Sequence, residues 1–254
     1  MKQHIIKPLL AALLLAGSCA AQAAHFEVVN YMGFAGYSGT ANGANFNDEA
    51  IDASQDGDVA FFGANVFSEN GISHAYAADA SFFKAGQSFS MSVSQSLTSP
   101  FGSTFSADTL VSMPNLKLKI VGDGEAIGAN VAISFALEST AVNSYAMNGG
   151  ALTMDIAFTG PDGGTSSALI DFSSESMRTE SFTFGFNGKV GDEFQLSGNM
   201  MSNLSTDGLQ AVDASASGQL VGSFSIAAVP EPEQYAMLLA GLGLLGFAAR
   251  RRNR

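Results

Sequence analysis

The chain has one cysteine and no tryptophan. The cysteine, Cys19, falls within the first 23 residues. Everything after it is therefore excluded from disulfide bonding and from thiol chemistry. Basic residues are also scarce, with 11 Lys and Arg against 23 Asp and Glu. Six of the eleven sit at the two ends: Lys2, Lys7, Arg250, Arg251, Arg252 and Arg254. Between residues 24 and 229 only Lys84, Lys117, Lys119, Arg178 and Lys189 face 21 acidic residues, a net charge of −16. An acidic surface with no basic run excludes nucleic acid and anionic lipid as partners. Histidine is rare too, with three in the chain. There is no G-x-S-x-G, no H-E-x-x-H and no phosphate-cradling loop, so no recurrent catalytic motif is present and we expect no enzyme.

What is present begins at the ends. Lys2 and Lys7 form a basic region, Leu9 to Gly17 an apolar one, and Ala21-Gln22-Ala23 a small-x-small site. Those are the parts of a secretory signal peptide, residues 1–23, cut after Ala23 by signal peptidase. Cys19 after Leu15-Ala16-Gly17-Ser18 approaches a lipoprotein box but has one residue too many, and the A-x-A site fits better. At the other end, Pro230-Glu231-Pro232 precedes an apolar run from Tyr235 to Ala249 and then Arg250, Arg251 and Arg252. As a helix, 15 residues cover ~22 Å, a thin span beside the ~30 Å hydrocarbon core. The arginines place the C-terminus in the cytoplasm. The signal peptide delivers the body to the opposite side, so the two ends agree. Gly241-Leu242-Gly243-Leu244-Leu245-Gly246 matches G-x-G-x-x-G, but no strand precedes it and no βαβ unit follows, which excludes a dinucleotide site.

The tail closely resembles the PEP-CTERM signal, by which exosortases of Gram-negative bacteria sort exported proteins. The resemblance covers the last 26 residues or so and none of the body. It implies translocation, transient inner-membrane arrest by the transmembrane helix 235–249, removal of the tail near Pro230, Glu231 and Pro232, and delivery to the cell surface or outside. The implied partners are signal peptidase and exosortase, with an exopolysaccharide or biofilm matrix as the destination. An anchor that keeps its tail is the alternative.

The body, residues 24–229, is long enough for one domain with a real core. Period-two alternation recurs along it: Phe89–Val93, Leu116–Ile120, Val131–Leu137, Leu152–Phe158, Phe182–Phe186, and the set Leu220, Gly222, Phe224, Ile226. Successive strand residues face opposite ways, so each segment has one apolar face. Two sheets packed face to face bury those faces. The expectation is an all-β chain: a single antiparallel β-sandwich or jelly-roll-like domain, flanked by the signal peptide and the C-terminal helix. Asn187-Gly188 reads as the strongest hairpin turn, with further turns at 122–124 and 161–164. Ser38–Asp58 and Asn199–Gly218, rich in small polar residues, read as long loops. Gly86–Ser92 and Gly191–Ser197 share the pattern G-x-x-F-x-apolar-S. A turn glycine feeding an outer strand would produce both.

Candidate chemistry is sparse. Asp52, Ser54, Asp56 and Asp58, with Gly57, place oxygens at alternate positions as a calcium loop does. The match to an EF-hand loop fails at Gly63, where a bidentate Glu is needed, and a solvated acidic turn is the favoured reading. No other cofactor is implied. His25 is expected to be mobile at the new N-terminus, and His74 to lie on a sheet surface. Tyr31, Phe34 and Tyr37 could form an exposed aromatic edge for sugar or pack as first-strand core. Two functions stay open: a non-catalytic surface or matrix protein with a structural or adhesive role, and a secreted polysaccharide-binding or polysaccharide-active module. The second requires carboxylates or aromatics gathered in one concave patch.

Overall fold

The computed structural model describes residues 24–54, 59–84, 87–143, 151–172, 177–229, 239–243 and 250. The strands run in the order β1 (Ala24–Ala41), β2 (Ala44–Ser54), β3 (Val59–Glu69), β4 (Ile72–Phe83), β5 (Ser88–Ser99), β6 (Phe105–Gly122), β7 (Asn130–Asn143), β8 (Ala151–Thr159), β9 (Thr165–Phe172), β10 (Met177–Lys189), β11 (Glu193–Thr206) and β12 (Val212–Ala228). They form two six-stranded sheets. The first has the order β2-β1-β6-β11-β8-β9 and the second β10-β7-β12-β5-β4-β3. Every neighbouring pair is antiparallel. The fold is a sandwich, and each alternating segment of the sequence lies on one of these strands.

The alternation drives the packing. Phe89, Met91 and Val93 of β5 are buried, as are Val131, Ile133, Phe135 and Leu137 of β7. Phe158 sits amid the rings of Phe26, Phe135, Phe186, Phe194 and Phe224, at centroid distances of 4.7–6.2 Å. One bulge resets the phase of β1, and a second, between Met32 and Phe34, has its extra residue on β6. Ala24, Phe26 and Val28 face inward before the shift at Val28/Asn30, and Tyr31, Ala35 and Tyr37 do so after it. An extra residue on one strand flips every later side chain, which is why the inward parity changes. Pro114 of β6 has no register partner in either neighbour and falls at these irregularities. A proline lacks the N–H that a central ladder needs, so a bulge is where it is tolerated.

Several expectations from sequence are corrected. Asn187-Gly188 is no turn: both residues lie within β10, opposite Ala132 and Val131. Gly188 is small for packing, since a Cβ there would come 3.0 Å from the Phe194 ring and 3.2 Å from Ile133. The hairpins are made by Asn42-Gly43, with φ of 48° and 83°, and Asn70-Gly71, with 52° and 81°. Paired positive φ is what a two-residue turn matching strand twist requires. Ser38–Asp58 is not a loop, because residues through Ala41 belong to β1 and Ala44–Ser54 to β2. Asn199–Gly218 is likewise strand except for a short connection between β11 and β12. Its inward positions are Met200, Ser202, Leu204, Thr206, Val212, Ala214 and Ala216. Four of these seven, Ser202, Thr206, Ala214 and Ala216, are small or polar, which hides the alternation.

The two G-x-x-F copies open β5 and β11, which are interior strands, each fourth in its sheet. In both copies the residue after the glycine closes a turn, Gln87 N donating to Lys84 O at 3.2 Å and Asp192 N to Lys189 O at 3.0 Å, and their side chains then do different things. The Gln87 side chain accepts from Phe26 N at 2.6 Å and donates to Phe26 O at 3.1 Å, while its backbone O accepts from Phe224 N at 2.8 Å. Its amide thus stands in for a strand neighbour and ties β1 to β12 across the sandwich. At the equivalent place Asp192 accepts from Lys189 N at 2.8 Å. The turns at 122–124 and 161–164 are as expected, with Gly124 and Gly163 at positive φ.

Candidate functional site

Two apolar clusters fill the interior, and a polar seam lies where they meet. The larger contains Phe26, Phe89, Phe135 and Phe158; the smaller contains Ile72, Leu97, Phe105 and Leu204. The seam is His74 of β4, Gln95 of β5, Thr109 of β6 and Ser202 of β11, all but fully buried. His74 Nε2 lies 3.0 Å from Gln95 Oε1, so the imidazole donates there. Thr109 Oγ1 donates to the same oxygen at 3.2 Å, and Gln95 Nε2 donates to Ser202 Oγ at 2.7 Å. His74 Nδ1 is buried with no partner. Burial lowers the His74 pKa, against a smaller opposing effect of Gln95. The surface position expected for His74 is therefore wrong. Ile72, His74 and Tyr76 share one strand face, and that face is the inner one.

Beside the seam, Tyr37 and Tyr76 pack with ring centroids 4.3 Å apart. Asp48 Oδ2 accepts from the Tyr76 hydroxyl at 3.2 Å and from Asn65 Nδ2 at 2.9 Å. Burial first, and then the Asp48 charge, push the Tyr76 pKa up to about 12. These contacts join β2, β3 and β4 at one side of the sandwich. Tyr31 and Tyr37 belong to the core, whereas Phe34 is half-buried on the outer side of β1. The aromatic edge of the sugar reading is thus reduced to Phe34.

On that outer side lies a shallow groove of about 390 Å³. Phe34, Leu110 and Met201 supply apolar surface, with Asn47, Glu49 and Asp108 around them. The register explains the grouping: Leu110 stands opposite both Gly36 and Met201, and Gly36 opposite Glu49. Of these residues only Phe34 stands out in the sequence, because the others come from β2, β6 and β11 and are brought to it by the sheet register. Of the calcium candidates, Asp52 and Ser54 lie at the end of β2, and Asp56 and Asp58 lie outside the described residues. No cluster of three or more His, Cys, Asp or Glu able to hold a metal occurs among the described residues. His25 is held in β1, with Nδ1 2.8 Å from Asp123 and Nε2 3.4 Å from Glu27. That replaces the expected mobility.

The C-terminal tail leaves the fold without a linker. β12 ends at Ala228, and Val229 N still donates to Asn130 O at 3.1 Å. Beyond it, residues 239–243 and Arg250 are helical and exposed. No helix among the described residues is long and apolar enough to cross a membrane. Pro230, Glu231, Pro232, Arg251 and Arg252 lie outside the described residues, as do Ala21, Ala23 and the signal peptide. A family model, the PEP-CTERM protein-sorting motif, matches residues 228–252. The tail is a PEP-CTERM sorting signal.

The motif marks the chain as an exosortase-sorted exported protein that passes through a membrane-anchored sorting intermediate. The body finds no such help. No curated protein matches the chain. Among solved structures, one of infectious bursal disease virus, Gx strain, is 8% identical and covers 83% of this chain, with a TM-score of 0.21. The chain spans 64% of that protein's length. A crystal structure of a particle of the same virus is 10% identical, covers 83% of this chain and 79% of its own, and has a TM-score of 0.16. Such scores support no statement about the PEP-CTERM protein beyond its own geometry.

Proposed function

We propose that this PEP-CTERM protein is a non-catalytic structural or adhesive component of an extracellular polysaccharide matrix, with its tail removed during export. The observation that carries the reading is the outer face of the second sheet. Its four adjacent strands β7, β12, β5 and β4 contain no Lys or Arg. Ser134, Ser94, Ser96, Ser217 and Ser223 are exposed there, with Thr183 on neighbouring β10. Ser217 stands opposite Ser94, and Ser225 opposite Ser134, so hydroxyls line up across the sheet. Each hydroxyl both donates and accepts. A broad face of them suits many weak hydrogen bonds to a polyhydroxylated chain, whose avidity grows with the number engaged. The acidic turn at Asp52–Asp58 is read as solvated.

The test is co-sedimentation of the mature protein with exopolysaccharide purified from its host. Binding is expected, and Ser94→Glu with Thr183→Glu should weaken it at least five-fold without lowering Tm appreciably. Unchanged binding in that variant would remove the hydroxyl face from the account. The groove on the first sheet favours a second reading, a polysaccharide-binding or polysaccharide-active module, because Phe34, Glu49 and Asp108 share one concave patch. Release of reducing sugar from the same polymer, abolished by Asp108→Asn or Glu49→Gln, would select it.

A further inference from the structure

Both ends of the body emerge at the same end of the sandwich. Ala24, the first residue of β1, stands opposite Gly122, the last of β6. The chain then turns through 123–129 and enters β7 at Asn130, whose O accepts from Val229 N. The loop 123–129 therefore lies between the first residue of the body and the last. It is a built loop. Gly128 N donates to Val190 O at 2.9 Å, Ala129 N to Ala126 O at 3.0 Å, and Asp123 holds His25 at 2.8 Å. At its tip Ile127 is 89% exposed, the most exposed large apolar side chain among the described residues.

The tether is short. Five residues, 230–234, separate Val229 from the apolar run at Tyr235. Even fully extended, the step from Val229 to Tyr235 covers at most about 22 Å. Pro230-Glu231-Pro232 begins one residue after the last hydrogen bond of the fold. An enzyme that holds this segment in its cleft must lie against the loop beside it. The bilayer is a poorer occupant, because Asp123, Glu125, Asp192 and Glu193 at this end outnumber Lys119 and Lys189 and leave no basic patch for anionic headgroups.

We propose that this end of the sandwich is a docking face for the exosortase, and that Ile127 seats on the extracytoplasmic surface of that membrane enzyme while the tail is cut. The proposal rests on the sorting reading of the tail. It is tested by following tail removal in the native host by pulse-chase. Four chains are compared: the native chain, Ile127→Asp, a chain with ten Gly/Ser residues inserted between Val229 and Pro230, and the insertion combined with Ile127→Asp. The expected result is at least five-fold slower removal for Ile127→Asp and no effect of the same substitution once the insertion separates tail from body. Equal rates for the native chain and Ile127→Asp would overturn the docking face. So would an equal slowing in both contexts, which would trace to export or folding. A native chain that keeps its tail in the presence of the enzyme would overturn the sorting reading itself.

Discussion

Acid should destabilise this sandwich through His74. The imidazole is fully buried, donates through Nε2 to Gln95, and has nothing to accept from or donate to at Nδ1. Protonation would place a charge and a second N–H donor where no acceptor exists, so burial lowers its folded-state pKa. The sign follows. Below the unfolded value of 6.5 the unfolded chain binds a proton that the folded chain refuses. Stability is therefore complete above that pH and falls as the pH drops beneath it. The slope is limited to about 1.4 kcal/mol per pH unit, so between pH 6.5 and pH 5 the loss is at most about 2 kcal/mol. With a urea m-value of roughly 2–3 kcal/mol/M, that is a midpoint shift of about 0.7–1 M. The assay is urea unfolding between pH 7 and 5 for the native body and for His74→Gln, which keeps a donor but does not titrate. Exposed carboxylates affect both alike and cancel. The native midpoint should fall further than the variant's, by no more than that amount. Parallel pH profiles would refute the buried, unpaired imidazole.

Other perturbations test other parts of the sandwich. Gly222→Ala places a Cβ 2.5 Å from the Phe89 ring and 2.6 Å from that of Phe135, and should cost about 1–3 kcal/mol by chemical denaturation. Phe158→Ala empties the centre of the aromatic cluster and should cost about 3–5 kcal/mol. Gln87→Ala strips Phe26 of partners for its buried N–H and C=O, and should cost about 2–4 kcal/mol while speeding amide exchange at Phe26. Glu27, whose pKa is lowered chiefly by its hydrogen bond from Lys84, favours the fold above about pH 4.5. That contribution is lost as pH falls through its lowered folded pKa. Lys84→Met should shrink the acid-limb loss without changing stability at low pH.

The legibility of this chain follows from side-chain size. β5 and β7 were readable because Phe89, Met91, Val93, Ile133 and Phe135 alternate with small polar residues. β2 and the early part of β12 were not, since Ala214 and Ala216 point inward yet look like loop composition. Asn187-Gly188 misled because the dipeptide signals a turn only where positive φ is adopted, and here the glycine makes room for Phe194 and Ile133. Asn42-Gly43 carries the same signal within Asn- and Gly-rich surroundings, and Asn70-Gly71 carries it between Glu69 and Ile72. The inward parity of His74 could have been read from Ile72 and Tyr76. Its partners Gln95, Thr109 and Ser202 lie 21, 35 and 128 residues onward, and only the topology joins them. The groove is hidden for the same reason, since its residues come from β1, β2, β6 and β11. The tail was legible because its information is linear: motif, apolar run and arginines follow one another in the chain.

The proposed route requires that the body be released from a sorting tail that begins where the fold ends. Intact-mass spectrometry of the protein from its own host, with and without the exosortase, tests it most directly. The product is expected to end between Val229 and Glu233 only when the enzyme is present. A product that keeps Arg254 in both strains would contradict it and leave a simple membrane anchor.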